Sequence, residues 1–147
     1  MRETLRFLLG AELIEIERCD PTLTVLDWLR LDRRMTGSKE GCAEGDCGAC
    51  TVVVGRLDGG RLRYEAINAC IRFLPTLDGC QLLTVEHLKG ADDGLHPVQQ
   101  AMVDCHGSQC GFCTGCRPSS APFRCSTVSS WQPSSVGWKR MQALIAS

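Results

Sequence analysis

Residues 40–51 read E-G-C-A-E-G-D-C-G-A-C-T, and this stretch decides the fold. It spaces Cys42, Cys47 and Cys50 as C-x4-C-x2-C, and Cys70 follows after what reads as a hairpin. That is the ligand spacing of a plant-type [2Fe–2S] cluster, in which a tight loop wraps the cluster and supplies three of its four thiolates. Gly41, Gly45 and Gly48 lie between the cysteines. Glycine permits positive φ and close backbone approach, so loop N–H groups can point at sulfur. Such hydrogen bonds raise the reduction potential. The bland alternatives are buried structural cysteines or a zinc knuckle. Zinc sites usually pair one C-x2-C with a second close pair, which is not this spacing.

Working outward, the flanks predict a small mixed sheet with one helix packed on it. Thr4 to Leu9 and Glu12 to Glu17 read as a hairpin turning at Gly10-Ala11. Pro21 breaks that pattern. Thr24 then reads as an N-cap with Asp27 at N3, and Val25, Leu26, Leu29 and either Leu31 or Met35 form an apolar stripe. Trp28 is expected in the core. Beyond the loop, Thr51-Val52-Val53-Val54 and Arg61-Leu62-Arg63-Tyr64 flank Asp58-Gly59-Gly60, a hairpin signal, and the second strand carries on to bring Cys70 beside the loop. Leu82 to Val85 is expected as a last strand. Cys80 reads as a small buried hydrophobe, and Cys19 as buried or its exposed equivalent.

The chain changes character after Lys89. Residues 91–94 read as a linker, and His96-Pro97-Val98 as a helix start with Pro97 at N1 and a stripe of Val98, Ala101 and Met102. Cys110 and Cys113 form a C-x2-C at an expected helix–loop–helix junction, where the helix dipole lowers thiol pKa and favours metal. Alone, that motif suits zinc, thiol redox or a cluster. His87, His96 and His106 read as structural or solvated rather than as ligands.

The totals exclude several classes. A chain of 147 residues suits one domain or two small ones. A net charge of −1 gives no argument for nucleic acid or an anionic membrane. Eleven cysteines, with no signal-like N-terminal run and no apolar stretch near membrane length, point to a cytoplasmic chain whose cysteines are metal ligands. Charge is uneven: residues 1–104 carry 12 basic and 17 acidic side chains, whereas residues 105–147 carry four basic and none acidic.

Four blocks in order, K-E-G-C-A-E-G-D-C-G-A-C-T-V-V-V, N-A-C-I-R-F-L-P, H-P-V-Q-Q-A-M-V and G-S-Q-C-G-F-C-T, resemble the iron–sulfur part of the molybdenum hydroxylases, and most closely the xanthine dehydrogenase type. The resemblance covers residues 3–114. It implies an α+β architecture: a β-grasp, ferredoxin-like [2Fe–2S] domain over residues 1–88, then the start of an all-α, four-helix-bundle type [2Fe–2S] domain over residues 89–114. It implies a first cluster on Cys42, Cys47, Cys50 and Cys70, and a second whose first ligand pair is Cys110 and Cys113. Gln109 would lie beside the molybdopterin of a partner chain.

The implied function is electron transfer within an oxidoreductase that oxidises a purine such as xanthine. Electrons would pass from molybdopterin through the clusters to FAD and then NAD. The partners implied are a molybdopterin-binding large subunit and an FAD domain or subunit, with no catalytic residue on this chain. A standalone ferredoxin-like carrier is the alternative. A zinc-stabilised binding module with no redox role is a third reading.

Residues 115–147 depart from the family. They hold no C-R-C-type closing pair and are rich in Ser, Pro and Arg. Codons for residues 118–127, read in a displaced frame, allow an apolar run of the kind the family's helix needs, so a frameshift near Thr114 is expected. The rivals are a divergent disordered tail, or replacement ligands at Cys116 and Cys125.

Overall fold

A computed structural model describes residues 4–89 and 94–105 of the chain. Its elements run β1 (Thr4–Leu9), β2 (Glu12–Glu17), α1 (Val25–Asp27) continuing as a π-helical turn (Trp28–Asp32), β3 (Thr51–Asp58), β4 (Arg61–Asn68), a 3-10 turn (Leu74–Leu77), β5 (Gln81–Leu83), a second 3-10 turn (Val85–His87) and α2 (Pro97–Asp104). The strands form one mixed sheet in the order β2-β1-β5-β3-β4. β5 lies parallel to β1 and antiparallel to β3, while the two hairpins are antiparallel.

Local chemistry sets both hairpins. Gly59 and Gly60 take φ of 55° and 77°, the two positive values that a tight two-residue turn with the sheet's own twist requires. In the other hairpin only Gly10 is positive, at 60°. The central position of β5 explains its composition: Gln81, Leu82 and Leu83 are all buried. The buried amide of Gln81 donates to the Gly10 carbonyl at 2.7 Å, and its oxygen accepts from the Tyr64 hydroxyl at 3.3 Å. The edge strand β2 carries Glu12, Glu15 and Glu17, charges that discourage further strand pairing.

The core lies between one face of the sheet and α1. Leu5, Phe7 and Leu9 of β1, Val52 and Val54 of β3, and Leu82 of β5 pack against Val25, Leu26, Trp28 and Leu29. Phe7 meets Trp28 edge to face, with ring centroids 5.3 Å apart. Leu74 and Leu77 close the core from the first 3-10 turn. Leu8 points to the other face, against Leu57 and Leu62.

The expected cap at Thr24 is present: its hydroxyl oxygen accepts from the Asp27 N–H at 3.0 Å. The regular helix expected after it is not. The chain widens after one turn, and Arg33 N–H bonds to the Trp28 carbonyl five residues back. This wider turn accompanies the placing of Arg33 over the Trp28 ring at 5.7 Å and against both Glu12 carboxylate oxygens at 2.9 Å. The stripe therefore continues through Met35, which packs on the core, and Leu31 is exposed.

Other boundaries also shift. The strand expected over Leu82 to Val85 is Gln81–Leu83, because Thr84 turns away to cap the second 3-10 turn. β4 stops at Asn68, so Cys70 follows the strand in a turn. Cys80 is buried as expected and Cys19 half-buried. Pro97 opens α2 with His96 as N-cap. In the expected α2 stripe, however, Ala101 is exposed. Residues 91–93 of the linker and His106 lie outside the described residues.

Candidate metal centre

The cysteine loop is fastened at both ends and in its middle by elements of the sheet and helix. Gly37 N–H donates to Glu86 Oε1 at 2.8 Å, and Arg30 Nη1 to the Ser38 carbonyl at 2.9 Å. Lys39 N–H reaches the Ala49 carbonyl at 3.1 Å, which closes the loop on itself. Midway, Asn68 Nδ2 donates to the Gly45 carbonyl at 2.6 Å. The segment that carries Cys70 is tied to α1. Leu26 N–H bonds to the Ala69 carbonyl at 3.0 Å and Val25 N–H to the Arg72 carbonyl at 2.8 Å. The free N–H groups of a helix start thus orient the turn that follows β4.

These restraints bring Cys42, Cys47, Cys50 and Cys70 to one end of the sheet. Cys50 Sγ lies 3.3 Å from Cys70 Sγ. Cys42 Sγ accepts from the N–H of Cys47 at 3.3 Å and of Glu44 at 3.5 Å, and Cys47 Sγ accepts from Ala49 N–H at 3.4 Å. Cys50 is buried and the other three are half-buried. Backbone N–H groups therefore point at sulfur, as the glycine-rich sequence predicts.

The electrostatics divide the thiols. Hydrogen bonds from the backbone of Cys47, then of Glu44, hold Cys42 down at about 7, where much of it is thiolate at neutral pH. Burial pushes Cys70 up to about 11, helped by the Cys50 thiol beside it, while a hydrogen bond from the Gly45 backbone pulls the other way. The negative charge of Cys42 also raises Cys70. Four thiols packed this way do not ionise together unless positive charge joins them, which is what a metal group supplies.

The glycines fit that purpose in two different ways. Gly45 and Gly48 take φ of 83° and 75°, as expected. Gly41 does not have positive φ. Its smallness matters instead, since a Cβ there would stand 2.6 Å from Cys47 Sγ. The remaining left-handed position in the loop is Ala43, at 56°. A Cβ on Gly45 would meet Ile71 at 2.8 Å, so the loop lies close on the turn that bears Cys70.

Among the described residues no three His, Cys, Asp or Glu side chains converge to hold a single metal ion. The sulfurs instead stand as a contacting pair, Cys50 and Cys70, and a second neighbouring pair, Cys42 and Cys47, whose sulfurs accept from backbone N–H groups. A binuclear cluster divides its four thiolates between two irons, two to each, whereas structural zinc draws four ligands to one point. The donor set, the spacing and the close glycines fit the binuclear group.

Sequence reasoning missed the residues that hold the loop. Asn68, two positions before Cys70, carried a local signal, since a side-chain amide beside a loop is a common brace. Glu86 lies 49 residues from Gly37 and carried none. Gln109, Cys110, Cys113, Cys116 and Cys125 lie outside the described residues. No helix among the described residues is long and apolar enough to cross a membrane.

Comparisons with known proteins point to iron–sulfur chemistry. Residues 84–118 match a family model described as a [2Fe-2S] binding domain. The chain is 50% identical over 97 residues to a xanthine dehydrogenase of Drosophila pseudoobscura pseudoobscura, covering 65% of this chain and 7% of that protein. The solved aldehyde oxidoreductase from Desulfovibrio desulfuricans superposes with a TM-score of 0.61 at 31% identity, over 78% of this chain and 12% of that one. A structure of quinoline 2-oxidoreductase from Pseudomonas putida 86 shares the fold, with a TM-score of 0.58 at 20% identity over 97% of this chain and 98% of that one. The chain spans less than a tenth of the length of the curated relatives it matches. Its sequence and fold therefore carry an iron–sulfur region of the molybdenum hydroxylase type.

Proposed function

We propose that residues 1–88 form a ferredoxin-like β-grasp domain holding one [2Fe–2S] cluster on Cys42, Cys47, Cys50 and Cys70. The observation that carries this is the gathering of four cysteines at one sheet end, with backbone N–H groups aimed at the sulfurs of Cys42 and Cys47 and the sulfurs of Cys50 and Cys70 in contact. When bound, the cluster supplies a one-electron carrier. The protein's part is to hold and tune it. Cys50 and Cys70, with their sulfurs 3.3 Å apart, would hold the cluster as a neighbouring pair of thiolate ligands. The N–H groups of Glu44, Cys47 and Ala49 place positive dipole ends beside sulfur, which favours the reduced state. Gly41, Gly45 and Gly48 let the backbone come that close.

The chain then serves as the electron-transfer part of an oxidoreductase of the xanthine dehydrogenase type. It would relay electrons one at a time from a molybdopterin centre towards FAD and NAD. The relatives' greater length supports partners: a molybdopterin-binding large subunit and an FAD domain or subunit. Residues 89–114 would begin a helical [2Fe–2S] domain, with Cys110 and Cys113 as its first ligand pair and Gln109 facing molybdopterin. Residues 115–147 would be an out-of-frame or divergent tail. A purine such as xanthine is the proposed substrate of the complex, and the cytoplasm its setting, where thiols stay reduced.

The test is iron and acid-labile sulfide per chain on protein purified without air. About two irons supports one cluster on the first four cysteines, and about four supports a completed second site. Zinc without iron would falsify the electron-transfer reading.

A further inference from the structure

The contact between Cys50 and Cys70 gives this end of the sheet a second chemistry. The Cys50 carbonyl accepts from Ala69 N–H at 3.2 Å, directly beyond the Thr51–Asn68 pair of the β3–β4 ladder. Both cysteines therefore leave the ladder at the same end, with their sulfurs 3.3 Å apart. The other described thiols are engaged differently. Cys42 and Cys47 accept from backbone N–H groups, Cys19 and Cys80 donate to the carbonyls of Asp20 and Asp78, and Cys105 is exposed at the end of α2.

We infer that, in the cluster-free chain, Cys50 and Cys70 oxidise to a disulfide in preference to any other described pair, and that this bond bars cluster assembly until it is reduced. The disulfide rests on the geometry alone. The bar on assembly rests on the proposed cluster reading.

The oxidant is hydrogen peroxide. One thiol is oxidised to a sulfenic acid, with one peroxide oxygen transferred to sulfur and one water released. The neighbouring thiol displaces the sulfenic hydroxyl, forming the S–S bond and releasing a second water. Overall two thiols and one peroxide give one disulfide and two waters. A dithiol reductant reverses it by thiol–disulfide exchange. A sulfenic acid formed at Cys42 has the Cys47 side chain as well as backbone amides beside it, but the sulfurs of Cys50 and Cys70 already stand in direct contact at 3.3 Å, and that contact favours the disulfide there. The bond withdraws two of the four ligands, because thiolate and not disulfide sulfur binds iron. It also ties the loop to the end of β4 in its native place, which leaves the site ready to be rebuilt.

The experiment uses the full chain, stripped of metal with a chelator under reducing conditions, desalted, treated with hydrogen peroxide, alkylated and mapped by mass spectrometry. The expected product is a peptide pair joined through Cys50 and Cys70. It persists in Cys42→Ser and disappears in Cys50→Ser. A dominant link through any other described pair, or no link, overturns the disulfide. Oxidised and reduced chains are then given ferrous iron and sulfide. The oxidised chain is expected to take up roughly ten-fold less iron, restored by dithiothreitol, because its disulfide sulfurs are not thiolate ligands. Equal uptake overturns the bar on assembly. No uptake by the reduced chain overturns the cluster reading and the bar together, while the peptide map still decides the disulfide.

Discussion

Residues 4–89 and residues 94–105 belong to the same chain but rest on different physics. The first region folds around its own core. Phe7, Leu29, Val54, Leu74 and Leu82 are wholly buried, and the cysteine loop is pinned to that core by hydrogen bonds with three separate segments, through Arg30, Asn68 and Glu86. The second is one helix of eight residues, α2, with Leu95 50% and Val103 57% exposed. A helix that short is marginal in water, and its stability comes from packing. Yet the family model matches residues 84–118, the stretch that contains α2, and not the cysteine loop. A sequence motif and a self-sufficient core are separate properties, and here they sit in different regions.

The largest effect should come from removing one thiolate from each of the two proposed cluster sites. Cys50→Ser is expected to take iron from about two per chain to near zero, since the loop then lacks a ligand held between β3 and the turn after β4. Cys110→Ser should leave iron at about two if the second site lacks its closing ligands, as the departure after residue 114 requires. Iron analysis and the visible colour of both variants decide this. Equal loss in the two would mean that the regions depend on each other.

Most of the first region is legible in its sequence. The hairpin glycines, the Thr24 cap and the cysteine spacing are local signals, and local signals survive folding. What escaped was set by distance or by surroundings. The π-helical turn after Asp27 goes with Arg33 reaching both Trp28 and Glu12, and no window of sequence reports that. Gly41 supplies the close approach expected of the loop glycines but not the positive φ, because the sulfur it must clear belongs to Cys47. The brace from Glu86 to Gly37 joins the loop to the segment that leads towards α2, and a long-range hydrogen bond leaves no periodic trace.

Core truncation sharpens the same contrast. Leu26→Ala removes a fully packed side chain beside the Cys70 turn and is expected to cost about 2–5 kcal/mol in denaturant unfolding. Val103→Ala, on the exposed side of α2, should stay within about 0.5 kcal/mol. A comparable loss at Val103 would show that α2 is covered in solution and that the two regions unfold as one.

A smaller, more local effect is expected at Gly41. Gly41→Ala places a methyl group 2.6 Å from Cys47 Sγ, so sulfur or loop must move, at about 1–3 kcal/mol. Iron occupancy should fall while the far-ultraviolet circular dichroism stays that of the parent. Unchanged occupancy and stability would mean that the loop opens there without cost, and that Gly41 is not part of how the site is shaped.

The smallest expected effect lies at the joint between the regions. Thr84 N–H donates to His87 Nδ1 at 3.0 Å, which requires that nitrogen to be unprotonated, and the ring packs over Gly10. Burial holds the His87 pKa below 6.5, although Glu86 and Glu12 push it upward. The unfolded chain therefore takes up this proton first as pH falls. The stabilisation is complete above about pH 6.5 and is lost as pH drops towards the folded pKa, with a slope no steeper than about 1.4 kcal/mol per unit. Glu86 adds a second window below it. Burial raises its pKa, but the Thr84 hydroxyl, its own N–H and the Gly37 N–H outweigh that and hold it below 4.5, so its stabilisation is lost only as pH falls beneath that value. His87→Asn keeps a side-chain acceptor without the titration. It should flatten the stability profile just below pH 6.5 and leave the fall below pH 4.5 in place. A profile identical to the parent's would remove His87 from the joint and leave the acid sensitivity of this region to Glu86.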